Sequence, residues 1–346
     1  MKKYLALIFL AISNFFAETA FASELNVYIW AEYLPEDLVE QFTSETGIKV
    51  NISTYDNNES LYSKVKLLKD SKNGYDVIVP STYFIAKMKN EGLIQKIDKS
   101  KLINFKNIDP SLINKPFDPK NEFSVPYLWG STGICYNDKY VKETVDSWES
   151  IFNAKYKGKI LLMDDVREVF HVALKLLGYS GNETDPEHIK QAYEKLRDLV
   201  PNVKIYNSTS PKLNYINEEV VIGMNFNGEA YMASLENSNI KYIYPKEGAI
   251  LWMDSLAITT NAQNLDNAYK FIDFLLRPDV AKQVSESLGF ATANKAALSL
   301  LSKEIRDNPT IYPSKEVQEK GEFQNDVGEA IVIYEKYWEM LKLGAP

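Results

Sequence analysis

The sequence predicts an α/β protein of two lobes with mainly parallel sheets, and three observations carry that prediction. Strand-like runs alternate with helix-like ones along most of the chain, the pattern of parallel sheets covered by helices. Of 346 residues, 324 remain once residues 1–22 are set aside as a leader, more than the roughly 250 to 300 that a single core serves. No Pro/Gly-rich joint, repeat or low-complexity tract divides the chain, so it is expected to cross between lobes on strands and to hinge there.

The elements follow in order. Leu25 to Trp30 reads as a strand, and Pro35 then opens a helix with Leu38, Val39 and Phe42 on one face and Gly47 as its stop. Lys49 to Thr54 is a strand, Glu59 to Leu68 a helix, Tyr75 to Val79 a strand, and a helix running to Glu91 ends at Gly92. The logic repeats from about Gly133. Lys159 to Met163 is a strand leading into Asp164-Asp165 and a helix whose Val169, Phe170, Ala173, Leu174 and Leu177 share a face. Pro186 to Leu199 reads as a helix, Val220 to Phe226 and Leu251 to Thr259 as extended, and helices dominate from Leu265 to Leu343. The stretches Leu128 to Tyr136 and Leu251 to Ile258 are the candidate crossings.

The leader is recognised by Lys2 and Lys3 before an apolar run of 13 residues, Tyr4 to Phe16, with Ala20-Phe21-Ala22 as a cleavage site before Ser23. A membrane span needs about 20 residues. The mature protein is therefore expected to be soluble in a periplasm or outside the cell. The chain carries 39 basic and 47 acidic residues, a balance that disfavours nucleic acid and favours cationic partners. Cys135 is the single cysteine, so no intramolecular disulfide forms; its strand-like setting reads as core rather than nucleophile.

Five short words stand out: Trp30-Ala31-Glu32-Tyr33, Phe226-Asn227, Trp252-Met253-Asp254-Ser255 and Phe323-Gln324 put rings beside acids or amides, and Asp164-Asp165-Val166-Arg167-Glu168 supplies carboxylates alone. Ring faces attract cations and carboxylates neutralise them. In open α/β sheets ligands bind beyond the carboxyl ends of strands, where Trp30, Ser81, Asp165 and Phe226 are expected. Each residue also has a plainer reading. Asp165 and Glu168 are placed to cap a helix, Glu32 reads as a solvated loop acid, and Trp30 and Trp252 serve equally as core rings. Asp254 resists such a reading, because a carboxylate inside an apolar strand is costly unless a donor or cation meets it.

Longer words then carry a resemblance: Glu40-Gln41-Phe42-Thr43, Val79-Pro80-Ser81-Thr82-Tyr83, Asn114-Lys115-Pro116-Phe117-Asp118-Pro119, Leu177-Gly178-Tyr179-Ser180-Gly181-Asn182, Trp252 to Ile258, Leu275 to Val284 and Gln324-Asn325-Asp326-Val327-Gly328. From Val27 onward the chain resembles the spermidine/putrescine-binding, PotD-type proteins of polyamine ABC transporters, within the periplasmic solute-binding class. The resemblance implies a two-lobed periplasmic binding protein fold (type II), each lobe a mostly parallel sheet flanked by helices, with the ligand cleft between lobes. The lobes are drawn as residues 23–131 with 257–303, and 132–256 with 304–346. It further implies a ring box of Trp30, Tyr33, Tyr83 and Trp252, amine-neutralising carboxylates at Glu32, Asp165, Glu168 and Asp254, an amide contact from Gln324, and Ser81 with Thr82 on the near wall.

Phe226 and Phe290 depart from the family pattern, which has tryptophan and tyrosine there, and so bear on the choice among polyamines. Glu32 is taken as available for a third nitrogen, so spermidine is expected to bind at least as well as putrescine. No cofactor, metal or catalysis is expected, and the partners are a polyamine and a membrane permease, with the protein a monomer. Three rivals stand beside this reading: a binding protein for another cationic solute or a metal held by tyrosines, a polyamine sensor, and an enzyme using Cys135.

Overall fold

The computed structural model describes residues 23–344; the leader read at residues 1–22 lies outside the described residues. Strand β1 (Glu24–Trp30) pairs in parallel with β2 (Lys49–Tyr55) and with the two-residue β3 (Val77–Ile78). Helices α1 (Glu36–Thr46), α2 (Asn58–Leu67) and α3 (Thr82–Asn90) connect and follow them. Gly47 closes α1 at φ 71°, a left-handed position that costs glycine nothing, and its N–H bonds back to the carbonyl of Thr43. β3 is shorter than the run Tyr75 to Val79; just before it the Asp76 backbone bonds Asn26 and Thr259, and its carboxylate takes the backbone N–H groups of Asn26, Gln263 and Asn264.

β4 (Val125–Asn137) is a 13-residue strand, buried along nearly its whole length. Then come β5 (Ile160–Leu162), α4 (Val166–Leu176), α5 (Pro186–Leu199), β6 (Val203–Tyr206), α6 (Pro211–Ile216), β7 (Ile222–Phe226), α7 (Asn227–Glu236), β8 (Ile240–Ile243) and β9 (Ile250–Ile258). Helices α8 (Leu265–Leu275) and α9 (Pro278–Leu288) and the short strands β10 (Ala291–Thr292) and β11 (Glu322–Phe323) follow, with three short helices, Lys295–Leu298, Lys303–Arg306 and Lys315–Lys320, between those two strands, and a last helix spans Ile331–Lys342.

The strand order is β2-β1-β3-β9-β4-β7-β5-β6. Parallel pairing holds at the outer groups, β2-β1-β3 and β7-β5-β6. The middle differs from a mainly parallel expectation. β9 runs antiparallel to both β3 and β4, and β4 antiparallel to β7, because the chain reverses when it crosses the molecule. β4 and β9 are long apolar strands with both faces covered, as their near-continuous burial shows.

Two hydrophobic cores flank this central pair. One gathers Leu25, Val27, Phe42, Val77, Phe271 and Ile272, and the other Trp148, Ile160, Phe170, Leu196, Ile222 and Tyr334. β4 and β9 contribute to both: Val125 and Leu256 to the first, Ile134 and Ile250 to the second. Among the described residues no helix is long and apolar enough to cross a membrane.

Candidate functional site

A cavity of about 670 Å³ opens between elements of the two cores. All of the candidate residues except Thr82 and Tyr83 line it: Trp30, Glu32, Tyr33, Ser81, Asp165, Glu168, Phe226, Trp252, Asp254, Phe290 and Gln324. Most owe that position to chain geometry. Trp30 and Phe226 end β1 and β7, Ser81 and Asp165 immediately precede α3 and α4, and Gln324 follows β11. Trp252 and Asp254 sit two apart on β9, so both point to one face while Met253 between them is wholly buried.

Asp254 is the buried centre. The Tyr33 hydroxyl donates to one of its oxygens and the Ser81 hydroxyl to the other, and Ser81 faces it across an isolated antiparallel bridge. Burial pushes its pKa up to about 6, against the lowering effect of those two donors. The rings enclose it. Trp252 meets Phe290 edge-on at 5.2 Å and Phe226 at 5.9 Å, and Tyr33 lies 5.8 Å from Phe290. Trp30 packs on Tyr55 at 4.7 Å and donates its Nε1–H to the carbonyl of Val79 at 3.1 Å. Two glycines make room. A Cβ at Gly130 would stand 2.6 Å from the Trp252 ring, and one at Gly228 2.4 Å from Phe290.

Asp165 caps α4 in the manner its spacing suggested, accepting from the N–H groups of Arg167 at 2.8 Å and Glu168 at 3.0 Å. It is only half-buried, however, and also faces the cavity. Glu168 does not reach back to complete a capping box; its Oε1 accepts from Gln324 at 3.4 Å, and its buried Oε2 has no hydrogen-bond partner. Burial and the charge of Asp165 push Glu168 well above the usual carboxylate range. Tyr83 lies behind this wall, 4% exposed, with the Arg167 guanidinium 5.2 Å from its ring and Tyr334 on the other side of that guanidinium at 5.3 Å. Thr82 is fully buried and does not line the cavity.

Glu32, also in the lining, stands in the left-handed region, φ 58°, an uncommon place for a residue with a side chain. It is not free. Its carboxylate accepts from Lys212 Nζ at 2.9 Å, and Lys212 also binds Glu229 at 3.1 Å. Lys212 is the one basic residue lining the cavity, against eight acidic ones: Glu32, Glu36, Asp56, Asp164, Asp165, Glu168, Glu229 and Asp254. Lys212, Glu229 and Arg167 escaped the sequence reading as site residues. Glu229 had a faint signal, two positions after Asn227 at a helix start; Lys212 had none.

Asp164 pairs with Lys342 at 3.3 Å, and Asn227 stitches backbone, accepting from Ser131 N–H and donating to the carbonyl of Thr310. Cys135 is fully buried and burial pushes its thiol up to about 12, which holds it protonated and unreactive. Among the described residues no group of three or more His, Cys, Asp or Glu side chains is placed to hold a metal.

An aromatic cleft with many acids and one base suits an organic cation, and the relatives of the chain agree with that geometry. The family model for bacterial extracellular solute-binding proteins matches residues 37–313. This chain belongs to that family. It is 54% identical over 321 residues to the spermidine/putrescine-binding periplasmic protein of Escherichia coli, covering 92% of each chain. It is 42% identical to spermidine/putrescine-binding periplasmic protein 1 of Haemophilus influenzae, covering 94% of this chain and 90% of that one. Among solved structures, the spermidine/putrescine ABC transporter substrate-binding protein PotD of Streptococcus pneumoniae superposes with a TM-score of 0.80 at 37% identity, covering 93% of this chain and 99% of that one. The fold is the two-lobed type II fold of these binding proteins, and the family is one of transport, not an enzyme class.

Proposed function

We propose that this protein is the substrate-binding component of a polyamine ABC transporter, capturing spermidine or putrescine in the cleft and presenting it to a membrane permease. The observation that carries the reading is Asp254, a buried carboxylate held by two hydroxyls within a box of rings, with Asp165 and Glu168 in the same cavity. The names of its relatives point the same way. Rings on the methylenes would exclude water while the acids meet the ammonium groups, and charge-assisted bonds gain strength as water leaves. A micromolar complex needs about 8 kcal/mol net, within reach of a few such contacts after ordering costs.

Capture is by closure. The lobes, 23–131 with 257–303 and 132–256 with 304–346, come together on a ligand that bridges Trp30, Tyr33 and Ser81 of the first to Asp165, Glu168, Phe226, Asp254 and Gln324 of the second. The protein is exported by a cleaved leader to the periplasm, acts as a monomer, and performs no catalysis. Calorimetry with putrescine, cadaverine, spermidine and spermine tests the reading. Saturable heat with at least one of them is expected; no heat and no thermal shift with any at submillimolar ligand would overturn it.

A further inference from the structure

Lys212 brings a positive charge of the protein's own into the cleft. Its ammonium is shared between Glu32 Oε2 at 2.9 Å and Glu229 Oε1 at 3.1 Å, and its backbone N–H meets the second oxygen of Glu229 at 3.3 Å. The side chains of Lys212 and Glu229 are 21% and 15% exposed, that of Glu32 67%. Lys212 and Glu229 are therefore built into the wall, whereas Glu32 reaches them from the solvent side. Burial alone would lower the ammonium's pKa, but the two carboxylates outweigh it and raise it, so the group is charged at neutral pH.

The pair also joins different parts of the molecule. Glu32 follows β1 of the first core, while α6, which carries Lys212, packs through Tyr215 into the second. An ion pair on an open surface would mean little. This one lies in the wall of a cavity in which, among the described residues, no other lining residue is basic.

We propose that Lys212 sets the number of ligand charges the cleft accepts, filling the Glu32 end with an internal ammonium and biasing the site toward diamines over triamines. The inference rests on the polyamine reading above. A ligand nitrogen arriving beside Glu32 meets a like charge, or must evict the Lys212 ammonium and leave the mostly buried Glu229 carboxylate with only the Lys212 backbone N–H. A diamine held between Asp254 and the Asp165–Glu168 pair avoids both costs. Selectivity of this kind comes from a repulsive element as much as from attractive ones.

The test is calorimetry with putrescine and spermidine on the full mature chain and on Lys212→Met, Lys212→Arg and the double variant Lys212→Met/Glu229→Gln. The wild type is expected to prefer putrescine. Lys212→Met should shift the ratio of the two dissociation constants toward spermidine by about tenfold or more, and Lys212→Arg should keep the wild-type ratio. The double variant, which leaves no buried acid unpaired, should show the same shift and covers the case in which the single variant does not fold. Polyamine binding with an unchanged ratio in the folded variants, or a wild type that prefers spermidine, overturns the inference and leaves the transport reading standing. No binding of either ligand by the wild type overturns the transport reading itself.

Discussion

Two parts of the cleft are acidic in different ways. Around Asp254 the acids are buried, held by neutral hydroxyls and an amide, and pushed toward protonation. Around Glu32 two acids, Glu32 and Glu229, already share one ammonium of the chain, that of Lys212. One part therefore leaves its acids without a cation of the chain, while the other has spent part of its charge on the protein. A count of carboxylates alone would treat them as equivalent. What separates them is whether a cation of the chain reaches them.

Removing the buried acid should break the comparison most severely. Asp254→Asn is expected to weaken polyamine binding about 100-fold, roughly 3 kcal/mol, because an ammonium in the ring box then lacks its counter-charge; calorimetry reads this directly. The rings come next. Trp252→Leu should cost about tenfold, through lost cation–π contact and a less well excluded solvent; an unchanged affinity would remove Trp252 from the box.

Acidity should sharpen the contrast further. Asp254, pushed up to about 6 by burial, must ionise to meet an ammonium, so affinity should fall about fourfold between pH 7.5 and 5.5 from this group alone. The sign for stability is the opposite. A carboxyl whose folded pKa is raised from 3.8 to about 6 binds its proton more tightly when folded, so its contribution to stability falls as pH rises through the window from about 4 to 6. The ligand-free protein should lose stability across that window, Asp254→Asn should lose less, and the melting-temperature gain on adding ligand should grow with pH. The smallest effect is expected beside Lys212. Glu32→Gln should change putrescine affinity by less than about threefold, since Lys212 keeps its second partner, Glu229.

How far these parts could be read from sequence follows from the same contrast. Trp30, Asp165 and Phe226 were legible because strand ends converge in α/β sheets, and Asp254 because a lone acid in an apolar strand demands a partner. Lys212 was not legible. It stands 180 positions from Glu32, and no local pattern links them. Tyr83 sits in a word that reads like the others, yet only tertiary packing decides that its ring turns to Arg167 behind the wall. The alternation of elements predicted the fold class, whereas the antiparallel pairing of β3, β9, β4 and β7 did not show, because strand direction depends on which way the chain returns.

Trp252 and Asp254 lie on β9, a strand hydrogen-bonded into the middle of the sheet rather than on a loop. Because side chains alternate along a strand, a shift of β9 by one residue against β4 would present Met253 and Ser255 to the cleft and bury the ring and the acid. Ligand recognition is thus encoded in pairing register. It cannot be transplanted as a loop cassette, and engineering a new ligand into this scaffold must keep that strand in place while rewriting the edges around it.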